Sequence, residues 1–166
     1  GLAPRRPQHL AVASDKYPVL TELMFSWILW QVPDFPFSSI HIVKNGLPTI
    51  IHRDSTNTGL SVHRSVGPFT GGRLRYWKDD DRKEEFKTLY RRKPVLLPRD
   101  KFSVFDPTKA HELQPYSGRR YGSTGYTLEI KGETLETLQE RAHKLGIRIR
   151  RSTRDVNIST SVVEAG

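Results

Sequence analysis

Residues 52–54 combine the residue types of a metal site in the order His52-Arg53-Asp54. In a β-strand, the side chains at positions i and i+2 point to the same face. An imidazole and a carboxylate two residues apart would therefore converge on one point, while Arg53 would face the opposite side. A second histidine from a later strand would complete a set of two histidines and one carboxylate. This set leaves coordination positions open and suits non-haem iron(II).

The other histidines of the chain are the alternatives for a metal or pocket role. The sequence has six His and no Cys, so any metal must be held by His, Asp or Glu. The lack of Cys also excludes a disulfide framework, a thiolate zinc site and a cysteine nucleophile. His41 and His63 are the rival ligands, and His63 could line the pocket because it shares a strand face with Ser61. His9 and His143 are expected at the surface.

The predicted elements that must position these side chains are mainly β-strands. After Phe37, short extended runs alternate with turn signals such as Asn57-Thr58-Gly59, a pattern typical of a sandwich or barrel. Helices are predicted over residues 18–31 and 134–145, where proline can open the first and apolar residues recur at helical spacing in the second. The predicted strands are 48–53, 61–66, 72–77, 94–98, 101–105 and 120–130.

The chain length of 166 residues predicts one domain. We expect a basic N-terminal arm over 1–17, a single domain over 18–150 and a flexible tail over 151–166. Within the domain, residues 78–93 should form a surface insertion with one or two helical turns. The longest apolar stretch, residues 20–30, is shorter than the roughly 20 residues that a membrane span needs, so no membrane association is predicted.

Two blocks of the sequence share their motifs with a known enzyme family. The first runs from Ile50-Ile51-His52-Arg53-Asp54 through the Asn57-Thr58-Gly59 turn and Ser61 to Gly67-Pro68-Phe69-Thr70-Gly71-Gly72-Arg73-Leu74. The second comprises Phe102-Ser103-Val104-Phe105-Asp106, His111 and Pro115-Tyr116-Ser117-Gly118-Arg119-Arg120-Tyr121. In this order they resemble the iron(II)/2-oxoglutarate-dependent dioxygenases. They are most similar to the TET/J-binding-protein branch and its relatives in algal and protist mobile elements.

This resemblance covers about residues 37–127 and implies both a fold and a metal site. The implied fold is a double-stranded β-helix, also called a jelly-roll or cupin-like fold, which is mainly β with flanking helices and has its core at about 37–130. The implied iron ligands, which are also the catalytic residues, are His52, Asp54 and His111. The implied cofactors are iron(II), O2 and 2-oxoglutarate as co-substrate.

The resemblance also implies a site for the co-substrate. Arg120 would bind the distal carboxylate of 2-oxoglutarate, because a guanidinium offers a planar, bidentate fork to a carboxylate. The serine that the family has two residues after this arginine is Gly122 here. Thr124 lies on the same side as Arg120 in a regular strand, so we expect it to take part in the site. Arg119 is the alternative to Arg120.

Side chains outside the motifs carry a second set of expectations. Trp27 and Trp30 should pack in the core with Met24 and Phe25. Trp77 could lie in the core or at its rim. Asn57 should cap its own turn through its side chain, and a hydrogen bond to Asp54 is the alternative.

The charge balance points to an anionic partner. The chain has 27 Lys and Arg against 18 Asp and Glu, a net charge of +9. Residues 73–101 hold eleven basic and six acidic side chains, and residues 141–154 hold six basic and no acidic ones. These segments could contact the phosphates of DNA or RNA, or they could form a solvated surface. In the first case Tyr76, Trp77 and Tyr90 could stack on an extruded base.

The leading functional hypothesis is an iron(II)/2-oxoglutarate-dependent dioxygenase that oxidises a methylated pyrimidine base in nucleic acid and releases succinate and CO2. The same motifs suit a prolyl or lysyl hydroxylase of the same superfamily. Gly122 leaves a third hypothesis open, a degenerate, non-catalytic jelly-roll module of a mobile-element polyprotein. Since the sequence begins with Gly1, we expect a fragment or a processed product. An intracellular location is expected, nuclear if the substrate is nucleic acid, and the oligomeric state is left open.

Overall fold

The computed structural model describes residues 2–3, 6–10, 14, 16–128 and 140. Its architecture is mainly β with few helices. The helices are α1 (Pro18–Gln31) and α2 (Phe86–Leu89). The strands are β1 (Leu2–Ala3), β2 (Arg6–Leu10), β3 (Ser39–Lys44), β4 (Ser61–Val66), β5 (Phe69–Gly71), β6 (Leu74–Tyr76), β7 (Val95–Leu96), β8 (Ser103–Phe105), β9 (His111–Leu113), β10 (Tyr116–Gly118) and β11 (Tyr121–Tyr126).

Helix α1 occupies the predicted range and buries only one of its faces. It begins at Pro18, a position where proline is favoured because the first helical N–H has no partner within the helix. Phe25 and Ile28, one turn apart, are buried against the sheet. Trp30 is 77% exposed, so its prediction as a core residue is wrong. The reason is its position, which lies off the stripe defined by residues 25 and 28.

An antiparallel sheet in the order β3-β11-β4-β8 separates helix α1 from the predicted site. Val62 packs in the core cluster with α1, and a Cβ at Gly125 would lie 3.5 Å from a side chain of that helix. Because side chains alternate along a strand, His63, Ser65 and Thr124 lie on the opposite face. The predicted strand 61–66 is confirmed as β4.

A second antiparallel sheet, in the order β7-β6-β9, lies on the site side of the first. One apolar cluster joins the two sheets by packing Leu74 and Leu113 against Phe105 of β8. The Phe105 ring also contacts His111, with ring centroids 5.2 Å apart. This packing sets the start of β9 against the face that carries His63. Strands β5 and β10 form a separate two-stranded pair.

The predicted strand 48–53 is wrong, because only His52 pairs there, in an isolated bridge with His111. A continued ladder would join residue 54 to residue 109. Instead, the Asp54 N–H donates to the carbonyl of Pro107, and the Lys109 N–H donates to the carbonyl of Asp106. A turn at residues 107–108 therefore ends the pairing after one bridge.

The remaining strand and insertion predictions are realised in shortened form. The predicted strand 72–77 contains β6, 94–98 contains β7, 101–105 contains β8, and 120–130 contains β11. Within 78–93 the structure has the single-turn helix α2. The predicted arm contains the antiparallel pair β1–β2. Apart from residue 140, the predicted helix 134–145, the segment 141–154 and the tail 151–166 lie outside the described residues.

Candidate metal centre

The structure brings the three predicted ligands together. The candidate ligand atoms of His52, Asp54 and His111 all lie within 4.8 Å of one another. Asp54 Oδ1 is 3.8 Å from His52 Nε2, and Asp54 Oδ2 is 4.0 Å from His111 Nε2. These separations are too long for hydrogen bonds, so the three side chains surround a point without closing on one another. The other predicted candidate, His41, is exposed on β3 and is not part of this cluster.

The backbone bridge between the two histidines explains this convergence. The N–H of His52 donates to the carbonyl of His111, and the N–H of His111 donates to the carbonyl of His52, both at 3.0 Å. Residues that exchange both bonds lie directly opposite each other. The ring centroids are 4.3 Å apart as a result. A single bridge therefore suffices to place both imidazoles on one side of the backbone.

Both histidines are held in the tautomer that a metal requires. Nδ1 of His52 lies 2.8 Å from the carbonyl of Ile50, and Nδ1 of His111 lies 2.8 Å from the carbonyl of Lys109. Because a carbonyl only accepts, each Nδ1 carries the proton and each Nε2 keeps its lone pair. Burial lowers the pKa of His111, and the charge of His52 lowers it further. A neutral imidazole is the form that binds a metal ion.

The carboxylate ligand is oriented by a neighbouring amide. Asn57 Nδ2 donates to Asp54 Oδ2 at 3.1 Å, so the structure shows the alternative considered for Asn57. The side chains of His52 and Asp54 are each 39% exposed, while that of His111 is 6% exposed. The cluster is therefore open to solvent on one side and closed on the side of β9.

A buried carboxylate holds the two ligand-bearing segments together on the far side of the cluster. Arg53 points away from the ligands as predicted, and its Nε and Nη2 donate to Asp80 at 2.7 and 2.6 Å. The same carboxylate accepts the N–H of Ala110, the residue before His111, at 2.7 Å. Burial alone would raise the pKa of Asp80, but hydrogen bonds from Arg53 and two backbone N–H groups lower it. The hydrogen bond to Asp80 raises the pKa of Arg53.

Sequence reasoning missed Asp80. It lies in the run Asp79-Asp80-Asp81, which has the composition of a solvated surface segment, and residues 78–93 were interpreted in that way. The signal that could have indicated the burial of Asp80 is the nearby aromatic residue Trp77, which the structure buries. The sequence left core and rim positions open for Trp77.

The predicted co-substrate residue Arg120 is buried and has no carboxylate partner among the described residues. Its exposure is 3%, and its guanidinium lies between the rings of Phe69 and Tyr116, 5.8 and 5.5 Å from their centroids. Nη2 donates to Ser65 Oγ and Nε has no hydrogen-bond partner within the described residues. Burial lowers the pKa of Arg120. Arg119 is exposed, so the structure distinguishes the two arginines.

His63 completes the surroundings of Arg120. Its Nε2 lies 3.2 Å from Arg120 Nη2, and because a guanidinium only donates, Nε2 is the acceptor. Nδ1 therefore carries the proton and donates to Thr124 Oγ1 at 2.8 Å. Burial lowers the pKa of His63 to about 3, and the charges of Arg120 and His111 contribute to this shift. The predicted co-substrate residue Thr124 thus contacts the site through His63.

The proposed base-stacking residues are mostly unavailable. Trp77 is 3% exposed, and its indole N–H donates to the carbonyl of Leu89 at 2.8 Å, so its prediction as a stacking residue is wrong. The reason is that its side chain fills a core cluster with Ile51 and Leu89. The Tyr76 hydroxyl accepts the N–H of Asp106. Tyr90 is 47% exposed, but its hydroxyl donates to Glu112.

Part of the basic excess in residues 73–101 is neutralised within the protein. Ion pairs join Arg75 to Glu112, Arg82 to Asp106, Lys87 to Glu85 and Arg92 to Glu84. Within the described residues, the exposed basic side chains of this segment that form no ion pair are Arg73, Lys78, Lys83, Arg91, Lys93, Arg99 and Lys101.

Comparisons with known proteins add no family assignment, since no protein-family model and no curated protein matches the chain. Among the described residues, no helix has the length and apolarity that crossing a membrane requires.

Proposed function

We propose that the chain is an iron(II)/2-oxoglutarate-dependent dioxygenase built on a double-stranded β-helix. The observation that carries this proposal is the cluster of His52, Asp54 and His111, with ligand atoms within 4.8 Å and both Nε2 lone pairs available. Two imidazoles and one carboxylate form the ligand set of non-haem iron(II) oxygenases, which keep positions open for co-substrate and O2. The two antiparallel sheets joined by an apolar cluster are compatible with the proposed fold.

The residues of this chain would form two sites, one for iron and one for the far carboxylate of the co-substrate. His52, Asp54 and His111 would hold the iron, which with 2-oxoglutarate and O2 supplies the oxidation of a substrate C–H bond and releases succinate and CO2. Asn57 keeps the Asp54 carboxylate oriented. Arg120 would bind the far carboxylate of the co-substrate, because a buried guanidinium that meets no acidic side chain among residues 16–128 is suited to this role.

The proposed substrate is a methylated pyrimidine base in nucleic acid. The support is the resemblance of the motifs, together with the unpaired basic side chains between Lys78 and Lys101. Base recognition would rest on groups other than Trp77, which is buried. A prolyl or lysyl hydroxylase and a non-catalytic module are the alternatives, and the substrate test below separates them.

Anaerobic titration calorimetry with iron(II) tests the metal site. The wild-type protein should bind one iron(II), the His52→Ala variant should lose this binding, and the matched His41→Ala variant should retain it because His41 is exposed on β3. Absence of iron binding in the wild type, or an equal loss in both variants, would overturn the proposal.

Succinate release then identifies the substrate. Oligonucleotides with methylated pyrimidines should raise succinate release above that with unmodified oligonucleotides, and raised salt should suppress the increase. Stimulation only by proline- or lysine-containing peptides would identify a protein hydroxylase. Iron and 2-oxoglutarate binding with no succinate above the metal-only background would identify a non-catalytic module.

A further inference from the structure

A serine of β4, Ser65, places its hydroxyl beside Arg120, whereas β11 has a glycine at the position of the family's serine. Gly122 occupies the place of the family's serine, and in the β11–β4 ladder it lies directly opposite Ser65. Ser65 is 5% exposed, and its Oγ accepts a hydrogen bond from Arg120 Nη2. A Cβ at Gly122 would lie 3.0 Å from Arg120 Nη1. The absence of a side chain on one strand thus leaves room for the guanidinium, while the facing strand supplies the hydroxyl.

The polar groups around Arg120 are of the kind that a carboxylate requires. The guanidinium is 3% exposed, and its Nε has no partner among the described residues, so a buried donor lacks an acceptor. The two groups that contact Nη2 are the uncharged acceptors Ser65 Oγ and His63 Nε2, so no group in the described part of the chain neutralises the positive charge. Ser65 Oγ also lies 3.1 Å from His63 Nε2, which accepts its proton. Rotation of the hydroxyl would turn this proton towards an arriving anion without moving the backbone.

We propose that Ser65 and His63 of β4 form, together with Arg120, the binding site for the distal carboxylate of the co-substrate, in place of a hydroxyl on β11. Ser65 donates to one carboxylate oxygen while Arg120 pairs with the carboxylate, and His63 holds the guanidinium in position from the side. The identity of the ligand as 2-oxoglutarate rests on the proposed function. The carboxylate site itself rests on the contacts of the three side chains.

The strand offers a matched control for Ser65. Ser61 lies on β4 four residues earlier, on the same face, and is 1% exposed. Its hydroxyl has no hydrogen-bond partner within the described residues, and its register partner is Phe105 rather than Gly122. Replacement of either serine by alanine removes one buried hydroxyl from the same face of the same strand.

The experiment measures 2-oxoglutarate binding to the iron(II)-loaded protein without oxygen, by the visible charge-transfer band of the chelated complex, and glutarate binding to the metal-free protein by calorimetry. Ser65→Ala should weaken both by roughly tenfold, because it removes a hydrogen bond to a charged group. Ser61→Ala should leave both unchanged. His63→Leu should also weaken both, whereas His63→Gln, which keeps an acceptor, should recover most of the loss.

The outcomes separate this inference from the proposed function. Equal dissociation constants for the wild type and Ser65→Ala, with unchanged iron binding, would overturn the inference and leave the proposed function standing. Glutarate binding that depends on Ser65 in a protein that binds no iron would overturn the proposed function and support the carboxylate site. Iron binding and the thermal midpoint of Ser65→Ala serve as the folding controls.

Discussion

Arg53 is partly buried and Arg120 is fully buried, and the charges of these two arginines have opposite surroundings. Arg53 meets the buried carboxylate of Asp80 in a two-point hydrogen bond, which raises its pKa. Arg120 lies between two aromatic rings and meets only neutral acceptors, and burial lowers its pKa. Within the described residues, Arg53 therefore has a carboxylate partner and Arg120 has none, which is the arrangement that the proposed carboxylate site requires.

The largest expected effect comes from removing Arg53 from its ion pair with Asp80. Arg53→Met should lower the free energy of unfolding by about 3–5 kcal/mol, because it leaves the Asp80 carboxylate buried without its partner. Urea unfolding measures this, with Lys83→Met, an exposed side chain of the same segment, as the control. A loss no larger than that of the control would show that Asp80 does not depend on Arg53.

Replacement of Arg120 by methionine should not lower the free energy of unfolding as the replacement of Arg53 does. Among the described residues Arg120 has no acidic partner, so Arg120→Met removes a buried, unpaired charge, and the free energy of unfolding should stay unchanged or rise. It should also abolish the stabilisation that 2-oxoglutarate gives to the iron-loaded protein. The exposed Arg119→Met variant should keep that stabilisation. If Arg120→Met destabilised the protein as much as Arg53→Met does, the conclusion that only Arg53 stabilises the fold through its charge would be wrong.

Acidification should reveal the uncharged histidine beside Arg120. An unfolded His63 takes up a proton near its ordinary pKa of 6.5, whereas the folded state, with a pKa of about 3, does not. The unfolded state therefore binds more protons between these values, and stability falls as the pH is lowered through this window. The contribution of His63 is about 1.4 kcal/mol per pH unit.

Urea unfolding at several pH values between 7 and 4 measures this contribution. The His63→Gln variant should lose stability less steeply than the wild type on acidification, and His41→Gln should follow the wild type. Identical slopes for the wild type and His63→Gln would show that His63 titrates alike in the folded and unfolded protein.

The smallest expected effect concerns a single amide beside the candidate metal cluster. Asn57→Ala removes the hydrogen bond that orients Asp54 and should weaken iron(II) affinity roughly tenfold, at the lower end of what outer-shell partners contribute. Calorimetry with iron(II) measures the change, and Thr56→Ala, at an exposed side chain next to Asn57, is the control. Unchanged affinity would mean that Asp54 keeps its orientation through the backbone alone.

The sequence predicted those parts of the molecule that depend on neighbouring residues. Strand β4 and the start of α1 follow from local alternation and from the position of Pro18, and both were placed correctly. The gathering of His52, Asp54 and His111 followed from the motifs, and the structure brings the three together. Whether the cluster binds iron stays a prediction.

The parts that escaped prediction depend on contacts between distant residues. Arg53 and Asp80 are 27 residues apart, and nothing in a run of three aspartates shows which of them will be buried. Likewise, the hydroxyl of Ser65 lies beside Arg120 only because of the register between two strands. Trp77 could be placed in the core only once its neighbours Ile51 and Leu89 were known.

The bridge between His52 and His111 has a consequence for local opening. Two amide hydrogens, those of His52 and His111, can exchange with solvent only when this bridge opens. The same opening would separate two metal ligands, so a bound ion would oppose it. Hydrogen–deuterium exchange at these two amides should therefore slow when iron(II) is added. The backbone itself thus offers a reporter of metal occupancy that requires neither turnover nor a visible chromophore.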